Sequence, residues 1–316
     1  MQRTRHDAEG RLTMHTHRSR TPHSMALAAL ALATIAAPPL EAQRDQGRSR
    51  IDTTFAFGQR GTLDISVVSG TIIIRSSGRD EARVNATSEE GIIRLETSPG
   101  RIAIGVRSNR GHMGDSKFEI AVPAGTRVLA HTTSGDISIR NVKGEVEARS
   151  TSGDIKIEDA ERVTFEAISG SVEATRVTGT LTGTSVSGDL TLEGGVGDID
   201  VESVSGEISL SKARAKTVRA KTVSGDVTFD GTVDQAGRYT FGTHSGTLKL
   251  SLPDNTAATL SIDTFNGDVE SDFPMVLRPG ERRGRHMEFT IGSGGARVSA
   301  ETFSGDIEIR KASKQR

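Results

Sequence analysis

Apolar and polar residues alternate along most of this chain, and between residues 131 and 310 the alternation is also phased. The phase is set by glycines at 135, 153, 170, 188, 206, 225, 246, 267 and 305. Two residues after each glycine stand Ile137, Ile155, Val172, Leu190, Ile208, Val227, Leu248, Val269 and Ile307. Four after stand Ile139, Ile157, Ala174, Leu192, Leu210, Phe229, Leu250, Ser271 and Ile309. Seven before stand Val146, Val163, Leu181, Ile199, Val218, Tyr239, Leu260 and Val298, and five before stand Ala148, Phe165, Gly183, Val201, Ala220, Phe241, Ile262 and Ala300. Apolar residues two apart, rich in β-branched types, predict short strands with one buried face.

The phasing glycines belong to a recurring triplet. Ser134-Gly135-Asp136, Ser152-Gly153-Asp154, Ser187-Gly188-Asp189, Ser224-Gly225-Asp226 and Ser304-Gly305-Asp306 are identical. Ser169-Gly170-Ser171, Ser205-Gly206-Glu207, Ser245-Gly246-Thr247 and Asn266-Gly267-Asp268 are close variants. Successive glycines are 18, 17, 18, 18, 19, 21, 21 and 38 residues apart. A short fixed period is the mark of stacked repeats, each of which buries its apolar column only against its neighbours. The unit is itself doubled, because a shift of nine carries the columns after one glycine onto those before the next. Gly144, Gly179 and Gly197 mark the half-way turn, with glycine supplying the backbone angles of a tight corner. The expected fold is all-β: a parallel β-solenoid, a flattened β-helix with coils of about 18 residues. An antiparallel β-sandwich is the alternative, since it also turns every nine residues or so. It has no reason to place the same triplet at every second turn, which favours the solenoid.

The phased stretch divides the chain into an upstream segment and signal peptide at 1–42, an N-terminal β region at 43–130, the solenoid at 131–310 and a basic tail at 311–316. Residues 51–130 alternate without the triplet register, as in Leu63-Asp64-Ile65-Ser66-Val67, and carry one isolated turn, Ser69-Gly70-Thr71. They read as an irregular β cap over an otherwise open coil end. Beyond Gly267 the doubled spacing leaves room for an extra coil or an excursion.

Composition adds the compartment and removes some chemistries. Ala26–Ala37 is the longest apolar run, shorter than the roughly 20 residues of a membrane span. Arg18 and Arg20 precede it, and Leu40-Glu41-Ala42 offers a cleavage site before Gln43, the outline of a secretory signal peptide. Residues 1–24 read as upstream sequence, with Met14 and Met25 as alternative starts. Cleavage would remove Arg3, Arg5, Arg11, Arg18, Arg20, Asp7, Glu9 and Glu41, moving the formal charge from -1 to about −3. A near-neutral chain predicts no attraction to nucleic acid. With no cysteine, thiol catalysis, disulfides and a lipidated N-terminal cysteine are all excluded. The expected destination is the periplasm, outer surface or medium.

Val122-Pro123-Ala124-Gly125 leading into Thr132-Thr133-Ser134-Gly135-Asp136-Ile137 resembles the DUF4097 family of candidate bacterial adhesins. Leu252-Pro253-Asp254-Asn255 into Thr264-Phe265-Asn266-Gly267-Asp268, then Ser271-Asp272-Phe273-Pro274, is similar to that family's C-terminal signature, and Thr302-Phe303-Ser304-Gly305-Asp306-Ile307 also matches. The resemblance covers roughly residues 60–310. It implies an exported or surface β-solenoid and brings no catalytic residues.

Four features compete as sites. Stacking would place equivalent residues of the column Asp136, Asp154, Asp189, Glu207, Asp226, Asp268 and Asp306, interrupted by Ser171 and Thr247, about 4.8 Å apart, where adjacent carboxylates repel by about 0.9 kcal/mol in water. Either turn N–H donors or a cation such as calcium must offset this. Turn capping is the preferred reading, and no metal or cofactor is assigned. Gly194-Gly195-Val196-Gly197-Asp198-Ile199-Asp200 is similar to a calcium β-roll repeat, but occurs once and with its acids one place off. Arg278, Arg282, Arg283 and Arg285, beside His286, form a basic loop that could grip the phosphate or sulfate groups of a polyanion. Glycan stacking has little to draw on, with no Trp and one Tyr. Phe265 and Phe303 are expected in the core, because they share the parity of the buried residues that follow their glycines.

Enzyme motifs are nearly absent. Ser209-Leu210-Ser211-Lys212 matches S-x-x-K without companion motifs. Repetition argues for structure, whereas catalysis needs a singular cluster of acid, base and charge. The expected function is a non-catalytic, adhesin-like binding or envelope scaffold module for a surface glycan, polyanion or protein. The alternative is a β-helix lyase or hydrolase acting on polysaccharide.

Overall fold

Strand Arg162–Ser169 shows how the alternation folds: Val163, Phe165 and Ala167 are buried, while Arg162, Thr164 and Glu166 face solvent. A computed structural model describes residues 40–41, 43–45, 48–107, 114–274 and 286–312. Within them each repeat is one coil, a long strand followed by a short one. Glu145–Ser152 and Ile155–Glu158 make one coil, and Arg162–Ser169 and Val172–Thr175 the next. Long strands pair in parallel only with long, and short with short, so the sequence columns become physical stacks. Ala148, Phe165, Gly183, Val201, Ala220 and Phe241 lie one above another between the two ladders. Each fully buried Ile, Leu or Phe contributes about 1.5–3 kcal/mol, realised only when the next coil covers it. The solenoid expectation holds and the antiparallel sandwich does not: the repeat strands run parallel.

Two corners turn each coil. At the triplet corner the glycine is usually left-handed, φ 128° at Gly153 and 124° at Gly170, and a methyl group there would strike the glycine carbonyl of the preceding coil. At the opposite corner the left-handed residue is Asn141, Asp159, Arg176, Gly194 or Lys212, six places after the triplet glycine. Gly179 and Gly197 also have positive φ, but mostly non-glycine residues make that bend. Val142, Ala160, Val177 and Ala213 follow it and fill the corner from inside.

Both ends of the stack leave sequence order. Strand Thr62–Ser76 lies between Arg127–Arg140 on one side and Arg101–Arg107 with Ser116–Val122 on the other. The turn Ser69-Gly70-Thr71 is thereby in register with Ser134-Gly135-Asp136. At the far end, coil Ala296–Ser304 and Ile307–Lys311 is inserted between the coils of Gly246 and Gly267. This is the reason for the doubled spacing. The chain lays down the Gly267 coil one place too far out, covers its edge with the antiparallel strand His286–Ile291, then returns to fill the gap. Antiparallel pairing also closes the other end, through Ile92–Ser98 on one ladder and Arg48–Ala56 with Glu81–Ser88 on the other. Unpaired edges invite pairing with other chains, and these strands occupy them.

Tyr239 anchors the wide part of the core. Its hydroxyl donates to Ala215 O at 2.7 Å and accepts from Asp234 N at 2.8 Å, beside Phe229 and Phe241. Burial raises its phenol pKa above the usual value. Among the described residues no helix is long and apolar enough to cross a membrane.

Candidate functional site

The triplet corner controls which side chains reach the surface. Residues seven, five and three before each glycine point inward, the last being Ala167 before Gly170 and elsewhere Thr132, Ser150, Ser185, Ser203, Thr222, Thr243, Thr302 and Thr264. These small hydroxyls fit beneath the corner; Thr243 Oγ1 donates to Gly225 O at 3.0 Å. The residue two before each glycine therefore points out. After Thr133 and Thr151 these are, in spatial order, Ile168, Val186, Val204, Val223, His244, Phe303 and Phe265, aligned by the parallel register. Ile168 is 52% exposed, and Phe265 and Phe303 are each 48% exposed. This corrects the expectation that the two phenylalanines are core. Counting in twos across the corner fails because the glycine bend inserts an extra residue and reverses the parity. Counting along the strand from the residue seven before the glycine would have found the row.

The rings at the end of the row stack on one another. His244 and Phe303 lie 4.8 Å apart at 10°, and Phe265 and Phe303 4.8 Å apart at 7°. Beside them Gly242 takes the place of an outward side chain. The resulting shallow hollow, about 430 Å³, is lined by Lys221, Asp263, Glu301, Thr243 and the stacked rings. The Lys221 stem lies over Gly242, 3.4 Å from where a Cβ would stand. His286 Nδ1 is 2.6 Å from Asp263 Oδ1.

On the other side of the row runs the acidic column. Asp154 Oδ1 accepts from Ser171 N at 2.8 Å, Asp189 Oδ1 from Glu207 N at 3.0 Å and Asp226 Oδ1 from Thr247 N at 2.7 Å. Asp136 serves Asp154 N and Asp306 serves Asp268 N in the same way. Each carboxylate thus holds a backbone amide of the neighbouring coil, the turn-capping role. Asp200 of the glycine-rich stretch lies 3.5 Å from Arg219 Nε. Among the described residues no group of three or more His, Cys, Asp or Glu could hold a metal ion.

Arg278, Arg282, Arg283 and Arg285 lie outside the described residues, as does the apolar run Ala26–Ala37. Lys212 of the S-x-x-K match pairs with Glu193 at 2.6 Å, which raises its pKa, away from general-base use. Ser211 Oγ meets Leu192 O at 3.4 Å. These contacts tie neighbouring coils together and assemble no nucleophile.

The Toastrack DUF4097 family model matches residues 106–193 and 140–310, which takes in the whole triplet array. The chain belongs to the Toastrack DUF4097 family. No curated protein is a significant match. Among solved structures, a candidate lipid-binding protein from Parabacteroides distasonis is similar at 11% identity and TM-score 0.47, covering 83% of this chain and 97% of that one. A candidate adhesin from Bacteroides fragilis is similar at 15% identity and TM-score 0.39, with the same coverages. A candidate cell adhesion protein from Clostridium sporogenes stands at 10% identity and TM-score 0.19, covering 83% and 100%. At such distances no ligand transfers from those proteins to this chain, whose surface must be read for itself.

Proposed function

We propose that this Toastrack protein is an exported, non-catalytic binding module whose recognition face is the outward row from Ile168 to Phe265. The observation that carries this is the row's exposure. Soluble proteins scatter exposed apolar side chains singly, whereas a contiguous line of them marks a binding surface. Parallel stacking makes the line straight and stiff, because each side chain stands on its equivalent in the next coil. Export rests on the sequence reading of Ala26–Ala37 and its upstream arginines. In this reading the module is adhesin-like and works in the periplasm or at the outer surface.

The test is binding of the full chain to an array of bacterial and host surface glycans, membrane vesicles and peptides. It is run beside a variant carrying Ile168→Thr, Val204→Thr and Phe303→Thr. Saturable binding to one class, lost in the variant, is the expected outcome. Binding that survives all three changes would place recognition elsewhere. Release of reducing or unsaturated sugar ends would instead mean polysaccharide turnover, the chemistry of a lyase or hydrolase.

A further inference from the structure

On its triplet-corner side the row is bordered by charge of one sign. Across the triplet corner stand Asp154, Asp189, Glu207, Asp226, Asp306 and Asp268, and among the described residues none of these is in an ion pair. On the strand side the charges are mixed: Glu202 pairs with Arg219, Asp263 lies beside His286, and Glu301 and Lys221 line the hollow. We infer that the row docks a cationic amphipathic helix of a partner protein, a deepening that rests on the recognition face proposed above.

Three other occupants fit less well. A second copy of this chain would bring one acidic corner against another. An anionic bilayer surface would be repelled by the same carboxylates. Sugars stack on ring faces, and here the ring faces are turned to each other along the column, leaving mainly edges outward. A partner with apolar side chains in line and cations beside them satisfies both halves of the surface.

Spacing selects the helix. The row runs across the strands, one side chain per coil, about 4.8 Å apart. An α-helix laid along it offers an apolar contact every turn of about 5.4 Å. An extended strand repeats on one face only every ~6.8 Å. Over the six intervals from Ile168 to Phe265 the helix drifts by roughly 4 Å, less than one coil, and a strand by roughly 12 Å. About 29 Å of row would seat about 19 helical residues. Lys and Arg on the flanks of such a helix reach the corner carboxylates, whose second oxygens are not needed for the amide ladder.

The experiment titrates the full chain into labelled peptides of about 19 residues with a leucine stripe flanked by lysines, or by glutamates in the control. The lysine peptide is expected to bind, to weaken as salt rises, and to gain helicity on binding. Val204→Thr with Val223→Thr keeps the β-branched shape and should weaken binding by about tenfold or more. Asp189→Asn with Asp226→Asn keeps an acceptor oxygen for the Glu207 and Thr247 amides, so the corner stays intact while two charges go. That pair should also weaken binding and flatten its salt dependence. Unchanged melting temperatures in both double variants separate these losses from unfolding. Equal binding of the glutamate peptide, or unchanged affinity in either variant, overturns the helix proposal. If no peptide binds while vesicles or glycans bind in a row-dependent way, the helix falls and the recognition face stands. If nothing bound depends on the row, both fall.

Discussion

The triplet carboxylates of Asp136, Asp154, Asp189, Asp226 and Asp306 each satisfy an amide of the neighbouring coil, and the column they belong to charges the rim of the exposed row. Asp154 is the clearest case, because its Oδ1 holds Ser171 N at 2.8 Å. Replacing Asp154 by Ala leaves that amide without its acceptor and is expected to cost about 1 kcal/mol. Asn keeps an acceptor and removes repulsion from the one neighbouring carboxylate, Asp136, so it should be near neutral. Chemical denaturation of the two variants checks this, and a shift of the native protein's midpoint on adding calcium would count against amide capping as the main offset. The capping role was legible as the preferred reading of the column. The direction of Phe265 and Phe303 was not, because parity reverses at a bend whose geometry is set by Gly305 and Gly267 against the carbonyls of adjacent coils.

Among the elements, the corner opposite the triplet is held by side chains that alternation does not mark. Arg176 and Asp159 are both left-handed, at φ 54° and 55°, and stack in neighbouring coils. Arg176 Nε and Nη2 each donate to the Asp159 carboxylate at 2.7 Å. The hydrogen bond from Arg176 is the main reason that the Asp159 carboxyl lies below its usual pKa. A depressed carboxyl stabilises the fold above its unfolded value, about 3.9, and that stability is lost as pH falls through the folded value. Arg176→Gln should therefore lower stability at pH 6 only slightly, the pair being partly exposed. The difference from the native protein should narrow as pH falls below about 3.9, and melting curves across that range read it directly. Strand positions came straight from the period of two, whereas this pair needed the coil length to be known.

At the scale of the whole molecule, the last coil in sequence is not the last in space. Ala296–Ser304 and Ile307–Lys311 sit between two other coils, so truncation after Gly295 opens a slot inside the stack. The two coils on either side would each lose a parallel partner and the cover over Tyr239, Phe241, Leu260 and Ile262. The expected outcome is loss of cooperative unfolding and exposure of apolar surface, read by calorimetry and by binding of a hydrophobic dye. Loss of a true end coil would cost only one interface, since repeat stability is a sum over neighbours. A truncated chain that still melts cooperatively near the native temperature would contradict this coil order.

The amino-acid sequence by itself determined the strands, the coil length, the parallel stacking and the acidic column. These follow from local periodicity and from side chains repeated at one spacing, which need no knowledge of distant parts of the chain. Tertiary structure alone decided the order of the terminal coils and the outward row. Coil order depends on which edge a returning strand finds unfilled, a competition among segments up to about sixty residues apart that no local pattern records. The row depends on a backbone bend that resets which face is inside, so residues of identical type and spacing become core on one side of a glycine and exposed surface on the other.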